Sequence, residues 1–280
     1  MITLKYNEKV PISDKSIKVI TYDKNGKLEF DGEYLGGNKE GKAKEYIDGN
    51  LVFDGNYLNG KRSGKCLEYK YQKIITFDGY YKEGNRINGK IKEYNFNDNL
   101  IFEGNISFGV RNGKGKEFYN DGKLKFEGEY LNGLRNLKGK EFKDSKLIFE
   151  GKYKEGLKNG IGKEYEDGKL IFEGEYLNGK KQNGKVKLYY DGKIFFDGSL
   201  KDGKKFGKGR EYLNGELVYE GNFLNGERNG NGRQYIDGEL VYEGKFLNGE
   251  RNGNGKEYFK GKLIFEGEFL FGERQSGKFY

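Results

Sequence analysis

The chain has almost none of the residues on which common catalytic and metal sites depend. Its 280 residues contain no histidine, no tryptophan, and one cysteine, one proline and one methionine. Without histidine, and with Cys66 alone, the sequence cannot build a histidine–cysteine zinc site or a histidine-assisted nucleophile. A single cysteine excludes an intrachain disulfide, which suits a reducing compartment. We therefore predict a non-enzymatic, cytoplasmic protein with no catalytic residue, metal or cofactor.

Long apolar runs and blocks of like charge are also missing. No stretch approaches the ~18 consecutive apolar residues of a membrane-spanning helix, and the N-terminal residues lack the pattern of a secretory signal. The formal charge is +8, from 52 basic and 44 acidic residues whose signs are interleaved. Such interleaving is typical of a solvated surface and argues against a nucleic-acid-binding domain. The basic excess leaves peripheral contact with an anionic membrane open.

Glycine and aromatic residues, in contrast, are abundant and regularly spaced. The chain has 47 glycines and 16% aromatic residues. The stretch "YEGKFLNGERNGNG", residues 242–255, matches residues 219–232 at thirteen of fourteen positions. We call the glycine that follows an aromatic residue and an acid the anchor glycine. It recurs eleven times with a mean spacing of 23.5 residues, at Gly32, Gly55, Gly79, Gly104, Gly128, Gly151, Gly174, Gly198, Gly221, Gly244 and Gly267.

This period predicts an all-β repeat array of about eleven 23-residue antiparallel β-hairpins, which form one elongated twisted sheet or trough. An aromatic residue precedes each anchor glycine by two positions (the first ring), and the residue two after it is usually aromatic (the second ring). Side-chain alternation predicts that a leucine, both rings and the anchor glycine share one face. We expect the hairpin loop between the next two glycines, as in "NGERNG". The second strand of each hairpin carries an aromatic residue of its own, such as Tyr258. A loop at that place would set this second-strand aromatic opposite the anchor glycine. Residues 1–28 are predicted to be a capping segment with a degenerate half repeat, and residues 29–280 the array.

The pattern aromatic-x-Gly-x-aromatic-x-x-Gly-x-x-x-Gly-x-Gly resembles the MORN (membrane occupation and recognition nexus) repeat. Copies such as "LIFEGEYLNGK", residues 170–180, are similar to the bacterial YwqK-type antitoxin, MORN-like group. The family's frequent tryptophan and histidine are replaced here by tyrosine or phenylalanine and by asparagine. The resemblance implies a non-enzymatic scaffold that mediates protein–protein interaction, with weak affinity for anionic lipid. The alternative that it implies is an antitoxin-like protein that sequesters a partner protein.

A basic residue follows each anchor glycine by seven positions, and an acid directly precedes each anchor glycine. We expect the bases on exposed hairpin loops, where they form a candidate interaction ridge for a protein partner or an anionic membrane. The alternative is that the two rows are solvated and balance one another, each pair contributing ~0–1 kcal/mol. We expect a monomer or end-to-end dimer. The candidate ridge comprises Lys39, Arg62, Arg86, Arg111, Arg135, Lys158, Lys181, Lys205, Arg228, Arg251 and Arg274.

A nucleotide-binding loop is the weaker interpretation of the same glycines. "GEYLNGKK", residues 174–181, fits most of a phosphate-binding loop, but it lacks the final serine or threonine and opens no helix. The turns already account for these glycines.

The aromatic rings also give stability predictions. If the rings form the core, Phe246→Ala should cost ~3–5 kcal/mol of folding stability, and Phe269→Ala, in the last repeat, should cost less. Arg251→Ala, on an exposed loop, should cost under ~0.5 kcal/mol.

Overall fold

The computed structural model describes residues 1–190 and 192–280, and every regular element in these ranges is a β-strand. The chain divides into two compact units, Met1–Leu137 and Lys138–Tyr280. In each unit, strands that follow one another in sequence pair antiparallel, with the exception of the first two strands, so the predicted all-β array of hairpins is confirmed. Among the described residues, no helix has the length and apolar character needed to cross a membrane.

The first unit begins with a short parallel pair. Strand β1 pairs parallel with β2, and β2 then pairs antiparallel with β3, with Val19 opposite the anchor glycine Gly32. The role of residues 1–28 as a cap stays a prediction. The strands are β1 (Ile2–Leu4), β2 (Ile17–Tyr22), β3 (Leu28–Leu35), β4 (Asn38–Ile47), β5 (Asn50–Leu58), β6 (Lys61–Lys70), β7 (Ile74–Lys82), β8 (Asn85–Tyr94), β9 (Leu100–Ser107), β10 (Val110–Phe118) and β11 (Leu124–Leu131).

The second unit is built from the same hairpins. Strand β12 (Leu134–Lys143) contains the boundary between the units. It is followed by β13 (Lys146–Lys154), β14 (Leu157–Glu166), β15 (Lys169–Leu177), β16 (Lys180–Tyr190), β17 (Lys193–Lys201), β18 (Lys204–Leu213), β19 (Glu216–Leu224), β20 (Glu227–Ile236), β21 (Glu239–Leu247), β22 (Glu250–Phe259), β23 (Lys262–Leu270) and β24 (Glu273–Phe279).

Two-residue turns connect the strands at both ends of a typical hairpin. Asn248 and Gly249 have φ values of 50° and 90°, and they join β21 to β22 between the paired residues Leu247 and Glu250. Asp237 and Gly238, at 51° and 78°, join β20 to β21 in the same way. Positive φ at both central residues defines a type I′ turn, whose twist matches that of the flanking strands. The sequence pairs Asn-Gly and Asp-Gly therefore dictate where the chain reverses.

The predicted loop position is wrong. The hairpin turns at the first asparagine–glycine pair, and the second glycine, Gly253 (φ 81°), lies inside β22 in a bulge. In consequence the anchor glycine Gly244 lies opposite Gly255 of its own hairpin. The second-strand aromatic Tyr258 lies instead opposite Leu263 of the next strand. The expectation that this aromatic covers the anchor glycine is therefore also wrong.

A second bulge separates the leucine from the first ring. Leu263 pairs with Tyr258, Phe265 pairs with Glu257, and Ile264 is the extra residue between them. Residues directly opposite one another share a face, whereas neighbours along a strand lie on opposite faces. Leu263 therefore faces away from Phe265, which corrects the predicted common face for the leucine. The anchor glycine and both rings do share a face.

Within each unit, the core consists of rings in edge-to-face contact, and Ile106 and Leu200 interrupt the series where they replace the second ring. Phe246 is 4% exposed, and its ring lies 5.3 Å from Tyr242 of its own hairpin and 5.1 Å from Tyr219 of the preceding one. Each such ring pair stabilises the folded state by ~0.5–1.5 kcal/mol in addition to the contribution of the buried area. The glycine pairs make room for the first rings, since a Cβ on Gly255 would lie 2.5 Å from Cζ of Tyr242.

Candidate interaction surface

The eleven predicted bases lie in strands, not on the hairpin loops. Each is the second residue of the second strand of its hairpin, as Arg251 is in β22 and Arg62 in β6. Arg251 pairs with the second ring Phe246, so its side chain extends over the ring-bearing face. We call this face of each unit, with its rings and bases, the ladder face. The predicted exposed-loop position of the ridge is wrong because the turn comes two residues earlier.

Every one of these bases lies over the first ring of its own hairpin. The distance from the cation to the ring centroid runs from 3.9 Å for Arg111 over Phe102 to 5.1 Å for Arg274 over Phe265. Cations within ~6 Å of a ring face are attracted by its quadrupole, with a gain of ~0.5–1 kcal/mol at exposed sites and more when desolvated. The bases thus cover the open side of the core as well as carrying charge.

A row of glutamates, which sequence reasoning missed, forms ion pairs with the bases. We call them ladder carboxylates; each directly precedes the second-strand aromatic, as in "KEY". Nε and Nη2 of Arg135 donate to the two carboxylate oxygens of Glu117 at 3.1 and 2.6 Å. Glu45 accepts from Lys39 of its own hairpin at 2.9 Å and from Arg62 of the next hairpin. All eleven bases have a carboxylate partner.

Five of the ladder carboxylates have a lowered pKa, which favours their charged form: Glu45, Glu68, Glu117, Glu164 and Glu211. Burial raises the pKa of Glu45, but hydrogen bonds from Tyr57, Arg62 and Lys39 outweigh this effect and hold the pKa at about 2. The pKa values of Glu117 and Glu211 are likewise lowered, because hydrogen bonds from neighbouring bases exceed the effect of burial. These ion pairs are half-buried and well aligned, and such pairs are stronger than exposed ones.

The acids that directly precede the anchor glycines belong to the opposite face. Asp54 pairs with Lys44 at 3.2 Å, and Glu243 pairs with Arg233 at 3.0 Å, all with side chains at least 40% exposed. Exposed pairs of this kind contribute ~0–1 kcal/mol. The two rows recognised in the sequence therefore do not balance one another, because each has a different partner on a different face.

The pattern of ladder carboxylates is interrupted twice in the second unit. Leu188 and Gln234 occupy positions at which most hairpins carry glutamate. Nε and Nη2 of Arg251 donate to Oε1 of Gln234 at 3.1 and 3.0 Å. Gln234 and Arg228 line an open groove of about 450 Å³ between neighbouring hairpins of this unit.

Cys66 is a packing residue. It is 2% exposed in β6, opposite the anchor glycine Gly79, and burial raises the pKa of its thiol to about 12. The thiolate, which is the reactive form, is therefore strongly disfavoured. Among the described residues, no cluster of three or more histidine, cysteine, aspartate or glutamate side chains is arranged to hold a metal ion.

A hairpin array whose turns, rings and glycine pairs recur from copy to copy is a repeat protein of the β-hairpin class. The MORN repeat model matches the chain at residues 30–51, 53–70, 102–123, 149–169, 196–215, 219–239 and 242–262. The chain belongs to the MORN repeat family, as the sequence pattern predicts. MORN repeats are generally scaffold or interaction modules.

Curated protein sequences gave no match. Among solved structures, a crystal structure of TcdB2-TccC3 is similar at 11% sequence identity with a TM-score of 0.23, over 90% of this chain and 14% of that chain. The chain thus spans about one seventh of the length of that protein.

Proposed function

We propose that this protein is a non-enzymatic MORN-repeat scaffold that binds a protein partner through the ladder face. The observation that carries the proposal is the recurrence of one chemical pattern, a buried ring beneath a half-buried base paired with a carboxylate, from hairpin to hairpin within each unit. A surface of this kind offers an extended partner several equivalent contact positions. We place the protein in the cytoplasm, as a monomer or end-to-end dimer.

The ion pairs favour a protein partner over an anionic membrane. A lipid headgroup has to compete with a ladder carboxylate for each base, as at Arg135, where both oxygens of Glu117 are already bonded. The free charge available to a membrane surface is therefore smaller than the sequence suggests. A partner protein can leave these ion pairs intact and contact the side chains around them, because interface charges act mainly on specificity and association rate.

The test is affinity capture from the native host with the full chain, followed by mass spectrometry. Lys158→Gln combined with Lys181→Gln removes two ladder bases, which pair with Glu141 and Glu164. The matched control, Lys163→Gln combined with Lys187→Gln, removes two bases from the opposite face, which pair with Glu173 and Asp197. We expect the first variant to lose partners that the wild type and the control retain, with all three melting cooperatively.

Identical capture by all variants would contradict the proposed use of the ladder face. Sedimentation with phosphatidylcholine vesicles, with and without phosphatidylserine, tests the weak lipid affinity that the sequence resemblance implies. A captured partner that stops growth when it is produced without this protein would instead support the antitoxin-like role.

A further inference from the structure

The groove in the second unit lies where the ladder has more bases than carboxylates. Lys205 and Arg228 share Glu211 at 2.6 and 2.7 Å. The next hairpin carries the neutral Gln234 where a ladder carboxylate is expected. The positive charge of Lys205 and Arg228 is therefore only half compensated within the groove.

Hydrogen-bond donors in the groove also lack acceptors. Arg228 bonds to Glu211 through Nε alone, whereas Arg135 in the first unit uses two nitrogens on one carboxylate. Within the described part of the chain, no hydrogen bond is donated by the two terminal nitrogens of the Arg228 guanidinium. Oε1 of Gln234 is occupied by Arg251, which leaves its amide NH₂ group as a donor. Planar donors of this type match the two oxygens of a carboxylate.

Apolar side chains complete the groove. Phe195 and Val218, the bulge residues of β17 and β19, line it together with Leu213 and Ile236. Leu213 is 65% and Ile236 55% exposed, and Tyr190 and Phe259 occupy the equivalent strand ends in neighbouring hairpins. An exposed apolar row beside half-compensated bases is unusual for a solvated surface, and such patches mark interaction sites.

We propose that this groove binds an extended acidic segment of a partner protein. A glutamate or aspartate carboxylate of the segment accepts hydrogen bonds from Arg228 and from the amide of Gln234. A neighbouring apolar side chain packs between Leu213 and Ile236. The inference rests on the proposed scaffold function and names the chemistry of its partner. A peptide fits better than a lipid headgroup, because the bases lie beside apolar side chains in a groove that takes one acidic and one apolar group together.

The isosteric substitution Gln234→Glu provides the sharpest test, because it inserts the missing ladder carboxylate without changing shape. The probe is a phage-displayed random heptapeptide library selected on the full chain. We expect enriched peptides to carry an acid next to an apolar residue, and to bind Gln234→Glu about tenfold or more weakly. Gln275→Glu, in the exposed strand β24, is the control for the added negative charge and should bind like the wild type.

Three results would overturn the inference: no enrichment, enrichment without acids, or equal binding to Gln234→Glu and Gln275→Glu. Acidic peptides that ignore Gln234→Glu but are lost in the Lys158→Gln, Lys181→Gln variant would place binding elsewhere on the ladder face. That outcome contradicts the groove and leaves the proposed scaffold function intact. Loss of binding through misfolding is excluded if Gln234→Glu melts at or above the wild-type temperature, as restoration of an ion pair predicts.

Discussion

The glycine pairs beneath the first rings leave no space for a side chain, and Gly255→Ala tests this constraint directly. The new Cβ would lie 2.5 Å from Cζ of Tyr242 and closer still to its hydroxyl oxygen. Tyr242 is fully buried, and its ring lies 5.3 Å from Phe246 and 5.0 Å from Phe269. The ring therefore cannot move without disturbing two further rings of the core.

The expected cost follows from two opposing effects. Overpacking a tight core costs ~1–3 kcal/mol. Alanine in a strand recovers ~0.5–1 kcal/mol relative to glycine, because the unfolded chain has less freedom to lose. Gly255→Ala should therefore destabilise by about 1–2 kcal/mol. Tyr242→Phe removes the hydroxyl, which donates to the carbonyl of Lys245 at 3.1 Å, and should cost ~1 kcal/mol alone.

The double variant distinguishes a clash from a general effect of alanine. With the hydroxyl removed, the ring should accommodate the methyl group, as the rings of Phe30 and Phe53 already accommodate Ala43 and Cys66 at the matching positions. Urea unfolding should then show a coupling of about 1–2 kcal/mol in favour of the double variant. Additive losses within ~0.5 kcal/mol would refute the reasoning. Gly209→Ala, beneath a phenylalanine ring, is the control and should cost less.

Three further predictions concern the rings and the ladder. Phe246→Ala should cost ~3–5 kcal/mol. The structure revises the smaller loss that the sequence predicts for Phe269→Ala to a similar one, because the Phe269 ring also contacts two rings. Negligible losses in segment-resolved hydrogen exchange would contradict a ring core. Arg251→Ala should cost ~1–2 kcal/mol in urea unfolding, and not the small loss of an exposed loop residue, because it covers Tyr242 at 4.5 Å and pairs with Glu257. The pKa of Glu45 is about 2 in the folded protein against an ordinary value of 4.5. Glu45 should therefore contribute on the order of 3 kcal/mol of folding stability above pH ~5, and this contribution should be lost as the pH falls toward 2. The Glu45→Gln variant should lack this component in an acid titration of stability, and an unchanged acid transition would count against the prediction.

Spacing and ring position were predictable from the sequence because they depend on local chemistry. Two strands of eight to ten residues and two-residue turns account for a 23-residue period, and the asparagine–glycine and aspartate–glycine pairs mark the turns. The burial of the rings followed from their fixed distance to the anchor glycine. Phe246 and Phe265, at 4% and 1% exposure, are buried as expected.

Register was not predictable, because a bulge glycine and a turn glycine look alike in sequence. Asn248–Gly249 forms the turn, whereas Asn252–Gly253, four residues later, lies in the bulge. A displacement of one residue moves every following side chain to the other face. The error therefore placed Arg251 on a loop and hid the ladder carboxylates, whose position beside the bases depends on the register.

The sharing of carboxylates between hairpins gives the repeat a direction. Glu257 accepts from Arg251 of its own hairpin and from Arg274 of the hairpin that follows. A whole copy inserted or deleted therefore brings a base for the carboxylate before it and a carboxylate for the base after it. A partial copy, in contrast, separates donor from acceptor. We infer that tandem duplication or loss in multiples of the full period is the route of change that this fold tolerates, so that homologous chains should differ by entire hairpins.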